Sequence, residues 1–218
     1  MDKNFELSLV LGRFNHIHLG HKYIIDISKK ISEKTLILIG SSQESGTLRN
    51  PFLVDTRKKL IESIYPKDNS IQIAFLEDMT NEYDVNYEWG RYILEHVKNI
   101  TGKKPNIMIH GNDESRKGWF DEKEIEDVSE MIITRKDVEI SATKLRGYIL
   151  IGDKRNWCTY VPNEIHEKFE DLREELLNIP IYKKIYDNIS SNLTLDNFYG
   201  VYNRLEQEDK TRKKDTKK

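Results

Sequence analysis

Short apolar runs rich in β-branched residues alternate along this chain with longer stretches whose apolar residues recur at helical spacing. That alternation marks βαβ units, in which buried strands of a parallel sheet are joined by crossover helices. It predicts strands near Leu7–Leu11, Thr35–Ile39, Ile71–Leu76, Asn106–Ile109 and Met131–Thr134. Helices are predicted between them, near Leu19–Ser32, Asp55–Ile64, Asn86–Ile100 and Glu122–Ser129. After the fifth strand the pattern is helical only, from Ser141 through Asn163–Leu177 and Ile179–Ser191. The expected architecture is an α/β fold: a doubly wound, parallel, five-stranded sheet followed by a C-terminal helical extension. Residues 1–162 are expected to form the first unit and 163–209 the extension. From Lys210 to 218 the sequence KTRKKDTKK has no apolar side chain to bury, so a disordered basic tail is expected there.

Composition narrows the classes without choosing one. A net charge of -2 gives no global attraction to nucleic acid or to an anionic membrane, so any phosphate binding has to be local. The single cysteine, Cys158, rules out an intrachain disulfide and a multi-thiolate metal site. The N-terminus lacks the apolar run and cleavage site of a signal peptide, and no segment reaches the length of a membrane span. A cytoplasmic location is the default expectation.

Two stretches carry chemistry. The first, Gly12-Arg13-Phe14-Asn15-His16-Ile17-His18-Leu19-Gly20-His21, lies where the first strand ends and the first helix begins. In open parallel sheets ligands bind at such ends, and a helix N-terminus favours an anion. Gly20 is expected to let a phosphate approach the backbone closely, while His18 and His21 project to the same side as hydrogen-bond donors. Local capping by one histidine fits the same residues, and so does a metal site of His16, His18 and His21, though no carboxylate or thiolate stands in the motif. The second stretch is Ile140-Ser141-Ala142-Thr143-Lys144-Leu145-Arg146. Ser141 has the chemistry of an N-cap, and Thr143 and Arg146 in the first turns offer a hydroxyl and a forked guanidinium to a second phosphate cluster.

Together the two stretches resemble the nucleotidyltransferase superfamily that carries HxGH near its N-terminus and an ISxTxxR-type sequence late in the domain. The resemblance implies a Rossmann-like fold and ATP-phosphate roles for His18, His21, Ser141, Thr143 and Arg146, with Gly12, Arg13 and Phe14 beside the nucleotide. It also implies magnesium accompanying ATP as substrate, and a homo-oligomer. Proline is usual in the family where His16 stands here.

Further stretches bear on the acceptor. The segment from Ser41 to Phe52, with Arg49, and then Arg57 resembles archaeal-type nicotinamide-mononucleotide adenylyltransferases, including the adenylyltransferase half of enzymes fused to a Nudix domain. Arg49 and Arg57 are then candidates for closing over the phosphates or the acceptor. Asn86-Tyr87-Glu88-Trp89 resembles the family's N-x-x-W region, which implies Trp89 against a nicotinamide ring and Asn86 on its carboxamide. Trp89 as an ordinary core anchor remains open. The stretch from His110 to Ser115 resembles a segment of the Nudix-fused relatives with Asp113 and Ser115 in register. The expected activity is adenylyl transfer from ATP to nicotinamide mononucleotide. Nicotinate mononucleotide, FMN or phosphopantetheine are the alternative acceptors, and a non-catalytic nucleotide sensor is the alternative class.

Overall fold

The computed structural model describes residues 3–79, 86–112, 116–134 and 140–215, with the side chains of Lys117 and of 212–215 excepted. Five strands form one sheet: β1 (Phe5–Gly12), β2 (Ser32–Ile39), β3 (Ile71–Phe75), β4 (Ile107–Gly111) and β5 (Ser129–Ile133). Their order is β3-β2-β1-β4-β5 and every pairing is parallel. The chain therefore winds outward in one direction from β1, then returns to β4 and winds in the other. The crevice between the C-terminal ends of β1 and β4 is the switch point, where a ligand can sit between diverging loops.

Both faces of the sheet are covered, so its strands alternate between two cores rather than between core and water. Leu7, Leu9 and Leu11 of β1, with Leu36 and Leu38 of β2, pack with Ile93, Leu94 and Val97 of α3 (Glu88–Thr101). Val10, Ile37 and Ile39 face the other way, toward α1 (Leu19–Ile31) and α2 (Val54–Ile64). On that second face Ser8, Ser28 and Thr35 share a buried hydroxyl cluster, which satisfies three polar groups inside an apolar layer.

The helices after β5 are α4 (Ala142–Ile151), α5 (Lys154–Cys158), α6 (Phe169–Leu177), α7 (Pro180–Ile189) and α8 (Leu195–Asp215). Their apolar residues, among them Trp157, Phe169, Tyr182 and Phe198, join the same core as α1 and α2. Glu175 of α6 also caps α2 from a distance: its carboxylate accepts from the Leu53 amide at 3.2 Å and the Thr56 hydroxyl at 2.9 Å. An N-terminus without a local cap thus gains its acceptor from the extension.

Two expectations are corrected. No helix forms over 122–129; the stretch makes turns, with Asp121 accepting from the Lys123 amide at 3.0 Å, and β5 begins at Ser129. Its side-chain acceptor competes with helical bonding, and so short a segment gains little from a helix nucleus. The basic stretch is not frayed at Lys210, because α8 runs on to Asp215. Lysine, arginine, glutamate and glutamine propagate a helix well once one is started, and Lys210 pairs with Glu206 one turn earlier at 3.1 Å. Among the described residues no helix is long and apolar enough to cross a membrane.

Candidate active site

The start of α1 shows why the first motif has its spacing. His18 is the N-cap: its backbone is extended and its Nδ1 accepts from the His21 amide at 3.3 Å. An imidazole that accepts at Nδ1 carries its proton on Nε2 when neutral, so the cap also sets which nitrogen is a donor. The His18 and His21 rings stack with centroids 3.8 Å apart, and Phe14 supports His21 at 5.0 Å. Phe14 takes a positive φ of 51° to place its ring there. A Cβ on Gly12 would come within 3.3 Å of that ring, and one on Gly20 within 3.1 Å of the His18 ring. At Gly20 the missing side chain makes room for an imidazole.

His16 is completely buried and turned away from its neighbours' site, accepting at Nε2 from the Trp157 indole at 2.8 Å. Burial, then the charges of Arg146 and His21, pull its pKa down to about 3. Among the described residues the three histidines do not converge on one point.

At the start of α4, Ser141 caps the helix through its hydroxyl, 3.1 Å from the Lys144 amide. Arg146 is buried, and its guanidinium donates to Thr143 Oγ1 at 3.1 Å, the Asn15 carbonyl at 2.6 Å, Tyr182 Oη at 2.7 Å and Tyr202 Oη at 3.2 Å. Of the five N–H groups of a guanidinium, one on Nη1 has no acceptor among the described residues. Both helix starts open on a single cavity of about 390 Å³ at the switch point, lined by Gly12, Arg13, His18, His21, Thr143 and Arg146 among others. Ser141 and Phe14 also line it. Two positive helix ends, two imidazoles and several cationic side chains give it the chemistry to hold a polyanion.

A second cavity of about 860 Å³ continues from the first, sharing Gly12, Arg13, Arg49, Arg116 and Glu206 with it. Trp89 and Trp119 form part of its wall, the indoles 6.3 Å apart and edge to face. Gly90 makes that wall possible, since a Cβ there would lie 2.1 Å from the Trp119 carbonyl oxygen. Arg49 is exposed and reaches both cavities. Arg57 reaches neither: fully buried, it donates to the carbonyls of Arg13, Gly40, Ser41 and Glu44, and burial lowers its pKa to about 10. It is a clamp on the loops that line the site, because backbone carbonyls withdrawn from water need a donor. Asn86 is exposed and lines neither cavity. Asp113 and Ser115 lie outside the described residues.

Residues 9–194 match the cytidylyltransferase-like family. The chain belongs to that family. A nicotinamide-nucleotide adenylyltransferase of Methanococcus maripaludis (strain C6) is 30% identical over 166 residues, 76% of this chain and 89% of that protein. One of Picrophilus torridus is 28% identical over 167 residues, 76% and 90% of the two chains. A nicotinamide/nicotinic acid mononucleotide adenylyltransferase of Acinetobacter baylyi is 27% identical over 118 residues, 53% of this chain and 61% of its own length. Among solved structures, the bifunctional NMN adenylyltransferase/ADP ribose pyrophosphatase of Francisella tularensis superposes with a TM-score of 0.63 at 19% identity, over 94% of this chain and 57% of that one. The chain spans little more than half of that bifunctional protein, and the likeness is one of fold.

Several side chains that line the cavities were not assigned roles from the sequence. Arg116 lines both cavities and donates to the Leu11 carbonyl at 2.8 Å, its guanidinium 5.2 Å from the Trp119 ring. An arginine three residues before a tryptophan, shortly after β4, was a readable signal, since β4 ends at the same crevice. His110 lines the first cavity with Nε2 2.9 Å from Glu130. Tyr202 and Glu206 come from α8, whose spacing reads as an ordinary amphipathic helix, and α8 starts one residue past the end of the family match.

Proposed function

We propose that this chain transfers the adenylyl group of ATP to nicotinamide mononucleotide, releasing pyrophosphate and forming NAD. The observation that carries this reading is the pair of joined cavities, one faced by two donor-bearing helix starts and the other walled by Trp89. Its relatives' names point the same way.

The acceptor's phosphate is ionised at neutral pH, so it attacks the α-phosphorus without a general base. The new P–O bond forms as the bond to the bridging oxygen of pyrophosphate breaks, and that oxygen leaves with the electron pair. The protein's part is positioning and charge neutralisation. His18 and His21 donate to α- and β-phosphate oxygens, Thr143 and Arg146 with the α4 N-terminus hold the β/γ end, and Arg13 lies between the cavities. Trp89 offers a flat π face to a cationic pyridinium. Among the described residues no group of three or more His, Cys, Asp or Glu could hold a metal ion, and this donor set fits a hydrated magnesium carried by ATP's own phosphates. The cation would neutralise charge on the phosphate oxygens. A homo-oligomer and a cytoplasmic setting complete the reading, and light scattering checks the first.

The test mixes the protein with ATP, magnesium and nicotinamide mononucleotide, nicotinate mononucleotide, FMN or phosphopantetheine, and identifies the adenylylated product. NAD is expected. ATP binding without pyrophosphate release from any mixture would sink the enzymatic reading in favour of a sensor. Trp89→Ala should weaken the mononucleotide by about 1–3 kcal/mol and leave ATP nearly unchanged. Equal loss for both substrates with a lowered Tm would make Trp89 a core anchor and withdraw the nicotinamide assignment.

A further inference from the structure

Within its own helix the Arg146 guanidinium bonds Thr143, and its other acceptors come from elsewhere in the chain. Two of its four acceptors are phenol oxygens from the C-terminal helices, Tyr182 of α7 and Tyr202 of α8. The same two hydroxyls donate to one atom, the carbonyl of Leu48, at 2.9 and 3.4 Å. A phenol has one proton, so donation to Leu48 turns the oxygen lone pairs toward the guanidinium. The arrangement is directional: Arg146 donates to the phenols and the phenols donate to Leu48. Arg49, next in sequence, lines both cavities.

The docking of α8 that makes this possible is built into α4. Gly147 follows Arg146 directly, and a Cβ there would lie 2.6 Å from Leu195 Cδ1 and 2.8 Å from Phe198 Cδ1. The missing side chain is a notch that lets α8 lie close enough for Tyr202 to reach the guanidinium. Tyr182 is wholly buried, Tyr202 nearly so, and burial pushes the Tyr182 hydroxyl up to about 12, so it remains a protonated partner.

We propose that Tyr182 and Tyr202 are positioning residues for ATP. They hold the Arg146 guanidinium so that its remaining Nη1 N–H faces the phosphate cavity, and through Leu48 they tie that orientation to the loop carrying Arg49. The C-terminal helix beyond the family match is then a working part of the site. This rests on the first cavity being the ATP site, as proposed above.

The test uses the full chain with Tyr202→Phe, Tyr182→Phe, Arg146→Ala and the double variant Tyr202→Phe/Arg146→Ala. ATP with magnesium is titrated calorimetrically without any acceptor, Tm is recorded for each protein, and the KM for ATP and kcat are measured with nicotinamide mononucleotide. Each Tyr→Phe change should weaken ATP binding and raise its KM about three- to tenfold, the loss of one oriented hydrogen bond, with kcat changing less. In the Arg146→Ala background, Tyr202→Phe should have no effect on ATP, because the group it positions is gone. Wild-type ATP affinity in both single variants, or an undiminished effect of Tyr202→Phe without Arg146, would overturn the proposal. A wild-type protein that binds ATP but forms no NAD would defeat the transfer reading and leave the calorimetric comparison to decide this one. Failure of the wild type to bind ATP would defeat both.

Discussion

At the start of α1 the groups facing the first cavity are held by their neighbours in sequence. His18 caps its own helix through the His21 amide, the two rings stack, and Gly20 clears space for one of them. At the start of α4 the corresponding cation is held from far along the chain: Arg146 reaches the Asn15 carbonyl on one side and Tyr182 and Tyr202 on the other. Both starts line the same cavity, but one is a local motif and the other a tertiary assembly. The first can be recognised from ten consecutive residues. The orientation of the second depends on helices that bear no motif.

The largest effect should come from breaking the local half. His18→Ala and His21→Ala should each lower kcat by roughly 10²–10³-fold, the loss of one transition-state donor, with a smaller change in the KM for ATP. Stopped-flow or coupled pyrophosphate assays read this directly, and unchanged turnover would remove both histidines from the chemistry.

Next is the buried clamp. Arg57→Ala withdraws the donor from four loop carbonyls and should destabilise the fold by about 3 kcal/mol in urea titrations. Substrate KM values in the fraction that remains folded should stay within a few-fold of wild type. An intact stability with a raised KM would return Arg57 to the site.

His16 gives the contrast a pH dependence. Its folded value of about 3 lies below the ordinary 6.5, so on acidification the unfolded chain takes up a proton that the folded one refuses. Its contribution is complete above pH 6.5 and declines as the pH falls from there toward 3, by roughly 2 kcal/mol at pH 5. His16→Gln, which keeps an acceptor for Trp157 without a titrating ring, should flatten that acid limb of Tm. An equally steep limb in the variant would place the titration elsewhere.

The smallest effect separates charge from shape in the tertiary half. Arg146→Lys keeps the cation but not the planar fork, so kcat/KM for ATP should fall about tenfold. Kinetics equal to wild type would mean that the guanidinium's four partners matter only to the fold.

Much of this molecule was legible in its sequence because the forces involved are local or periodic. Apolar runs of strand length placed the five strands, and helical spacing placed most of the helices. Glycine and histidine at short fixed intervals marked the turn at which α1 begins, since a cap and its stacked partner lie within one turn of helix. The stretch 122–129 went wrong because its helix-forming composition competes with a turn in which the Asp121 side chain accepts from the Lys123 amide. Other features were decided by tertiary structure alone. Arg57 and Arg49 stand in the same segment with the same side chain, yet one is buried under four carbonyls and the other lines both cavities. Gly147 has no side chain where α8, some fifty residues on, packs against its backbone. The role of α8 was invisible for the same reason: a tyrosine on an amphipathic helix has one sequence signature whether its hydroxyl meets water or a buried guanidinium. Which meeting occurs is decided by the packing of α8 on α4, where the bare backbone of Gly147 lets Tyr202 reach the neighbouring Arg146.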